Sequence, residues 1–266
     1  MITLALAGLL ALPVLVPQVE RSSQQRSQRD SQRSSQRDSQ QGSQSQSSKR
    51  ETWSDKVAKD KVKAFSKAVK PKKTSMADRK RALAELKGGI SQHLIKPLQK
   101  FIEKDSSVVL RREAVEMLGY QPAPRAKKAI LKLLDDAEVT ANPQVHAGLI
   151  RALSGAGYTA KDWDAIDRVF ESDYDTERVP VHEAILDLVA AHKEKQAVAL
   201  LLRNMDEPSP ANVDAADNPP AEYWKARWHS WAAWKAKVKE AMRAITGQDF
   251  GGAKEAKAWL KKNRLK

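Results

Sequence analysis

The stretch that decides the fold is VLRREAVEMLGY, residues Val109–Tyr120. Four of its apolar residues stand at offsets 0, 4, 5 and 8, a spacing that places their side chains on one face of an α-helix. These residues are Leu110, Ala114, Val115 and Leu118. The small residue Gly119 follows at offset 9 and allows the chain to come close to the next helix. The stretch therefore predicts an amphipathic helix with one packed face.

The same pattern recurs twice, 35 and then 36 residues further along the chain. The copies comprise Val145, Leu149, Ile150, Leu153 and Ser154, and Val181, Ile185, Leu186, Val189 and Ala190. A second amphipathic helix is predicted after each copy, over Arg125–Leu134, Trp163–Phe170 and Gln196–Leu202. A weaker unit precedes them, with Ala82, Leu83 and Leu86 followed by Leu94, Leu98, Phe101 and Ile102. Self-similarity at this period indicates a stack of helical hairpins.

This pattern carries a family resemblance. Val109–Tyr120 resembles the first helix of HEAT repeats, and residues 106–207 resemble three consecutive HEAT-like units. The resemblance implies an all-α fold, a right-handed α-solenoid of HEAT-like helical hairpins with repeats over residues 53–205. We expect about ten or eleven helices and find no alternating strand pattern. The family implies protein binding or scaffolding more often than catalysis.

The C-terminal part is predicted to cover the open end of the stack. Residues 206–222 form a loop rich in proline, and residues 223–266 form capping helices, the first of them rich in Trp. Its apolar stripe comprises Tyr223, Trp224, Trp228, Trp231, Trp234, Val238, Met242 and Ile245. Two interpretations are open: the stripe seals the last repeat, or it presents aromatic rings and cations on which bases or sugar rings stack.

The tail AITGQDFGGAKEAKAWLKK, Ala244–Lys262, is predicted to turn after Thr246-Gly247 and to end in a basic helix held by Trp259 and Leu260. It resembles the ending of secreted HEAT-repeat proteins of planctomycete-type bacteria. That resemblance implies an exported bacterial scaffold.

The N-terminal fifth of the chain differs from the rest. Ile2–Val16 are fifteen residues without a charge, too short to cross a bilayer comfortably as a helix, so residues 1–20 are interpreted as a signal peptide or hydrophobic anchor. A basic n-region and an Ala-x-Ala site are both missing. Residues 21–52, rich in Ser, Gln and Arg, are predicted to be a disordered tether, either a plain spacer or a dilute basic binding tail. We therefore expect export to the periplasm or beyond, with membrane contact only through the N-terminal segment.

Composition limits the chemistry. The chain has no cysteine, which excludes disulfides, thiolate metal sites and a Cys nucleophile, and residues 51–266 carry 40 Lys or Arg against 30 Asp or Glu. No phosphate-binding loop, dinucleotide turn, nucleophile elbow or zinc-protease pair occurs. The sequence thus predicts no catalytic, cofactor-binding or metal-ligating residue and no cofactor.

Two sets of titratable residues are also interpreted as structural. His146 and His182 occupy the same repeat position as Arg111, with Glu183 adjacent, and are interpreted as a repeated packing position in preference to a metal pair. Four acidic residues are interpreted as a solvated helix face: Asp162, Asp164, Asp167 and Glu171.

The function predicted from these observations is an exported, non-catalytic scaffold or protein-binding module. Its partner is an unidentified protein or an acidic envelope polymer. The alternative is a basic HEAT-like nucleic-acid-binding or DNA-repair protein resembling alkylbase glycosylases, with Trp163 beside Asp164 as its reactive pair. A third hypothesis, less favoured than DNA repair, is a bilin lyase, a class that also contains HEAT-like repeats.

Overall fold

Each of the three pattern copies folds as an α-helix whose apolar face is buried. The structure, a computed structural model, describes residues 50–70, 74–170, 174–210 and 215–264. The predicted signal peptide or anchor (1–20) and nearly all of the predicted tether (21–52) lie outside the described residues.

The described ranges contain twelve α-helices, which confirms the all-α prediction. They are α1 (Asp55–Val69), α2 (Met76–Ala84), α3 (Gln92–Lys104), α4 (Val108–Gly119), α5 (Arg125–Leu134), α6 (Ala137–Thr140), α7 (Pro143–Gly155), α8 (Asp164–Phe170), α9 (Val179–His192), α10 (Val198–Arg203), α11 (Ala221–Thr246) and α12 (Ala253–Lys262). The number exceeds the expected ten or eleven. One helix that was not predicted is α6, a single turn capped by Asp136, whose carboxylate accepts from the N–H groups of Glu138 and Val139.

A pair of two-residue strands was also not predicted. β1 (Glu51–Thr52) pairs in parallel with β2 (Gly89–Ile90). Strands of two residues are too short to show an alternating pattern in the sequence. Because β1 is part of the fold, the boundary of the predicted tether lies earlier than residue 52.

The helices pack in two layers. In the first layer α4 packs against α7, α7 against α9, and α9 against α11, and these are among the most extensive helix contacts in the fold. In the second layer α3 packs against α5 and α10 against α12, while α3 contacts α4 and α5 contacts α7 across the layers. The first layer therefore places the three pattern copies side by side in chain order.

The three copies bury their patterned residues completely. All twelve side chains at offsets 0, 4, 5 and 8 are no more than 1% exposed. The small residue at offset 9 has a role beyond the turn, because a Cβ atom on Gly119 would stand 3.0 Å from Cβ and 3.1 Å from Cα of Ala152. Gly119 thus sets the close approach of α4 to α7.

The stripe on α11 is buried in its C-terminal half and partly exposed in its N-terminal half. Trp234, Val238 and Met242 are buried on the helix that packs against α9, so the C-terminal half seals the stack. Trp228, in the N-terminal half, remains 42% exposed. The helix ends as predicted at Gly247, which has a positive φ of 73°.

The final helix is tied to the start of the proline-rich loop. The N–H of Ala253, the first residue of α12, donates to both carboxylate oxygens of Asp206, at 3.0 and 3.2 Å. A carboxylate at a helix N-terminus satisfies a free N–H group and interacts favourably with the helix dipole. The described residues accordingly belong to one compact unit.

In the part of the chain that the structure describes, no helix combines the length and the apolar character that crossing a bilayer requires.

Candidate functional site

A solvent-open groove of about 680 Å³ runs along α4 and α7. Its floor consists of small residues: Gly119 from α4, and Gly148, Ala152 and Gly155 from α7. The Cβ positions of Gly119 and Gly148 face Ala152 and Val115 of the other helix. These small residues therefore allow α4 and α7 to come close together beneath the groove.

The rim of the groove carries charges of both signs. Arg112, Glu113 and Glu116 lie on α4, and Arg151 lies on α7. Arg112, Glu116 and Arg151 are exposed. Among the described residues, none of these four side chains takes part in an ion pair. The rim thus offers separate cationic and anionic groups to a ligand.

One end of the groove is formed by Tyr120 and Arg50. The Arg50 guanidinium lies 4.4 Å from the centre of the Tyr120 ring, a cation–π contact. The Tyr120 hydroxyl accepts a hydrogen bond from the N–H of Gly88 at 3.2 Å. Burial raises the pKa of Tyr120, although the Gly88 N–H and the Arg50 charge act in the opposite direction. The phenol is therefore neutral near pH 7 and fixed against the segment that precedes β2.

His146 and His182 are both buried and hydrogen-bonded or ring-packed within the fold. The Nδ1 atom of His146 lies 3.3 Å from a guanidinium nitrogen of Arg178. The Nε2 atom of His182 lies 2.9 Å from the carbonyl oxygen of Phe170, and its ring packs edge-to-face on the Phe170 ring at 4.8 Å. Arg111, at the same repeat position, donates to the carbonyl oxygen of Val139 at 3.2 Å. All three side chains are thus engaged in contacts within the fold.

The environment of His146 opposes its protonation. Burial, and then the positive charge of Arg178, lower the pKa of His146 to about 4, while a hydrogen bond to the backbone of Thr140 acts in the opposite direction. The imidazole is therefore neutral near pH 7. Within the described ranges, no group of three or more His, Cys, Asp or Glu side chains is placed to hold a metal ion.

The acidic face predicted on the second helix of the middle unit is partly wrong. Asp162 is not simply solvated, because its carboxylate pairs with the Lys127 ammonium at 2.5 Å and accepts from the N–H and hydroxyl of Thr159. Burial acts to raise the pKa of Asp162, but Lys127 and Thr159 together lower it. Asp164 is exposed as predicted. Glu171 lies outside the described residues.

Trp163 and Asp164, the pair considered for DNA repair, are not presented together. The Trp163 side chain is only 3% exposed, whereas Asp164 faces solvent. A glycosylase-like site needs the aromatic ring and the carboxylate at one opening, beside a flipped base. The described geometry therefore does not support the DNA-repair hypothesis.

The N-terminal half of α11 forms a second aromatic region. The Arg227 guanidinium lies 5.0 Å from the Tyr174 ring centre and 5.8 Å from that of Trp224. The indole N–H of Trp228 donates to Glu207 at 2.6 Å. The Arg227 guanidinium and the Trp228 indole N–H are therefore already engaged within the protein. The stacking interpretation requires such groups to be available to a ligand.

Two features escaped the sequence analysis. The groove depends on Gly119, Gly148 and Gly155, whose spacing becomes meaningful only once α4 and α7 are paired. The uneven charge distribution is visible in the sequence only when net charge is counted region by region. Residues 50–134 hold 22 Lys or Arg and 9 Asp or Glu, residues 135–222 hold 7 and 18, and residues 223–266 hold 12 and 3. Net charge is therefore +13, −11 and +9 in these three regions.

No protein-family model, curated protein or solved structure matches this chain.

Proposed function

We propose that this protein is an exported, non-catalytic scaffold that binds a polypeptide segment in the groove between α4 and α7. Its stack of helical hairpins is proposed to be a right-handed HEAT-like solenoid. The observation that carries the proposal is the groove itself, lined by small residues and by an unpaired rim of both charge signs.

The repeat architecture is supported by side-chain contacts that follow the sequence period. Lys127 pairs with Asp162, 35 residues later. The side-chain amide of Gln196 donates to the carbonyl oxygen of Ala160, 36 residues earlier. Tyr158 donates to Glu194, also 36 residues apart, at 2.8 Å. Contacts of this kind join equivalent positions of neighbouring units, as a solenoid of nearest-neighbour interfaces requires.

The rim chemistry favours a polypeptide over a polyanion. A polyanion would be repelled by Glu113 and Glu116, whereas a polypeptide can place acidic side chains near Arg112 and Arg151 and basic ones near the glutamates. Complementary charges of both signs fix register and orientation more than they add affinity.

A nearby Ser–His contact supports a structural role. Ser154 Oγ lies 2.8 Å from His192 Nε2, a pair of residue types that also occurs in nucleophilic catalysis. Here Ser154 stands at the small-residue position of the second unit and His192 at the end of α9. The His192 ring packs at 4.9 Å against Tyr158, which is itself bonded to Glu194. The four residues together link the second and third units.

The groove proposal is tested with a random-sequence peptide library selected on the full chain. We expect selected peptides to carry acidic residues and to lose at least tenfold in affinity on Arg151→Glu, because one unpaired rim cation becomes an anion. Arg168→Glu is the matched control, since Arg168 is also exposed but lies on α8 and does not line the groove. Recovery of no peptide whose binding depends on Arg151 would contradict the proposal.

Export is tested separately with a reporter fused after residue 50. We expect a reporter that is active only in the periplasm to be active, because the uncharged segment Ile2–Val16 precedes a long polar stretch. An inactive reporter, with residues 1–20 retained in a cytosolic fraction, would contradict export. It would leave the groove proposal untouched.

A further inference from the structure

The outward surfaces of α1, α3 and α5 carry rows of exposed lysines. We call these eight residues the lysine face: Lys56, Lys63 and Lys67 on α1, Lys96, Lys100 and Lys104 on α3, and Lys128 and Lys132 on α5. On α3 they alternate with the buried stripe that includes Leu94, Leu98 and Ile102. Since α3 packs against both α1 and α5, the rows lie on neighbouring helices.

The lysines of this face have no acidic partner, unlike three other lysines of the described residues. Lys61 pairs with Glu85, Lys127 with Asp162 and Lys237 with Asp187. Among the described residues, no ion pair or side-chain hydrogen bond is formed by the eight lysines of the lysine face. α1, α3 and α5 together contain 12 Lys or Arg against 3 Asp or Glu.

The charge of this region is also not balanced by the rest of the fold. Residues 50–134 carry a net charge of +13, whereas residues 135–266 carry 19 Lys or Arg and 21 Asp or Glu, a net charge of −2. The acidic middle and the basic C-terminal region therefore nearly cancel each other. Self-repulsion among unpaired lysines opposes folding, so an anionic ligand on this face relieves a charge that the protein itself does not neutralise.

We infer that the lysine face binds a linear phosphodiester polymer, recognised by its repeating charge and not by its bases. Lysines at positions i and i+4 are about 6 Å apart along a helix, and packed helices lie about 8–10 Å apart. These intervals provide repeated cations both along and across the three helices. Lysine acts as a hydrated point charge and not as a bidentate fork, which suits contact with successive phosphates.

The surroundings of the lysine face argue against two other recognition modes. The aromatic residues of α1 and α3, Phe65 and Phe101, are buried, so no ring on these helices is offered for base stacking. Val57 of α1 is 44% exposed, but no large apolar side chain of α3 or α5 is among the exposed ones in the described ranges. Helices that bind lipid surfaces stably bury an apolar face as well as contributing charge. A polymer strand therefore fits better than a membrane.

The test measures binding of a fluorescent oligothymidylate to the full chain over a salt series. Each phosphate contact to a single strand contributes about 0.7 to the slope of log K against log salt. We expect Lys96→Gln/Lys100→Gln/Lys104→Gln to reduce that slope by about 2, with the fold unchanged by circular dichroism. The matched control removes three exposed lysines from α12, Lys254→Gln/Lys257→Gln/Lys261→Gln, and is expected to keep the wild-type slope. Residues 1–49 are present in every variant, so their charge cancels from the comparison.

Three results would overturn the inference. They are no oligothymidylate binding at low salt, an equal change of slope in the α3 and α12 variants, and binding to vesicles of phosphatidylglycerol that is tighter and more dependent on Lys96, Lys100 and Lys104 than oligothymidylate binding. None of these results bears on peptide binding at Arg151. The inference and the proposed groove function can therefore fail independently.

Discussion

The groove and the lysine face are both charged and exposed, yet they are built in different ways. The groove lies between two helices of the first layer, with a floor of small residues and a rim of both signs. The lysine face spreads over three neighbouring helices and is predominantly cationic, with the exposed Asp60 four residues after Lys56 on α1. Mixed charge along a groove suits a polypeptide, whereas unpaired charge mainly of one sign suits a polyanion. Sign pattern and floor shape, more than net charge, thus distinguish the partners that one helical stack can bind.

The largest expected effect is loss of the fold, which removes both the groove and the lysine face. Leu118 is fully buried in α4, so Leu118→Asp places an unpaired charge in the core and is expected to cost about 4 kcal/mol or more. Both peptide and oligothymidylate binding should disappear. Urea unfolding followed by circular dichroism measures the loss.

Val109→Asp is the matched control for Leu118→Asp. It adds the same charge to the same helix, but at a side chain that is 51% exposed and near the helix N-terminus, where an acidic residue is favourable. We expect its stability to change by no more than about 0.5 kcal/mol. Equal destabilisation by the two substitutions would contradict the packing described for α4.

The next prediction concerns sensitivity to acid, which we expect of the groove helix α7 and not of α3 and α5 of the lysine face. Since the folded pKa of His146 is about 4 and the unfolded value about 6.5, the unfolded chain holds the extra proton between these pH values. Stability from neutral His146 is therefore fully present above pH 6.5 and is lost as pH falls to 4, by about 3 kcal/mol in all. α3 and α5 bury only apolar side chains, so this sensitivity belongs to the groove helix α7.

His146→Gln is the variant that checks this pH dependence. It keeps a polar side chain but cannot titrate, so the difference in unfolding free energy between wild type and variant should change with pH only between about 6.5 and 4. Chemical denaturation at a series of pH values measures it. A constant difference across that range would show that His146 is not held neutral by the fold.

A smaller effect belongs to the groove floor alone. Gly119→Val places atoms within 3.1 Å of the Ala152 backbone and is expected to cost about 1–3 kcal/mol through overpacking. In Gly148→Ala the new Cβ meets Val115 at an ordinary 3.4 Å, and helix propensity favours Ala by up to about 1 kcal/mol. Gly119→Val should weaken peptide binding and leave the salt slope for oligothymidylate unchanged. A change in both peptide binding and the salt slope for oligothymidylate would show that the two surfaces are coupled.

The smallest effect concerns the end of the groove. Arg50→Ala removes the cation over the Tyr120 ring. We expect it to lower the free energy of unfolding by about 0.5–1 kcal/mol. Arg50→Lys should restore part of the loss, because an ammonium also binds an aromatic face. A loss no smaller in Arg50→Lys than in Arg50→Ala would assign the effect to the guanidinium geometry instead.

The sequence predicted the helices well because their information is local. Offsets of 0, 4, 5 and 8 identify a buried face without knowledge of the partner helix, and α5 begins and ends at the predicted residues. The two-residue strands and α6 escaped because neither is long enough to show a period. Asp162 was misjudged because its partner, Lys127, is a neighbour only in the folded stack.

The two candidate surfaces also differ in how far their sequence signal is local. The lysine face repeats at i and i+4 within single helices, so its signal is present in the sequence, although a net charge taken over the whole folded part does not reveal it. The groove arises where Gly119 meets Ala152, a pairing between helices more than 30 residues apart in the chain. Single-sequence periodicity contains no information on that pairing.

The claim that one helical stack carries two independent binding surfaces is tested most directly by simultaneous binding. The full chain is saturated with oligothymidylate, and a library-selected peptide that depends on Arg151 is then titrated in. We predict a peptide dissociation constant within twofold of that measured without oligothymidylate, because the ligands occupy different layers of the fold. Displacement of one ligand by the other would contradict the account.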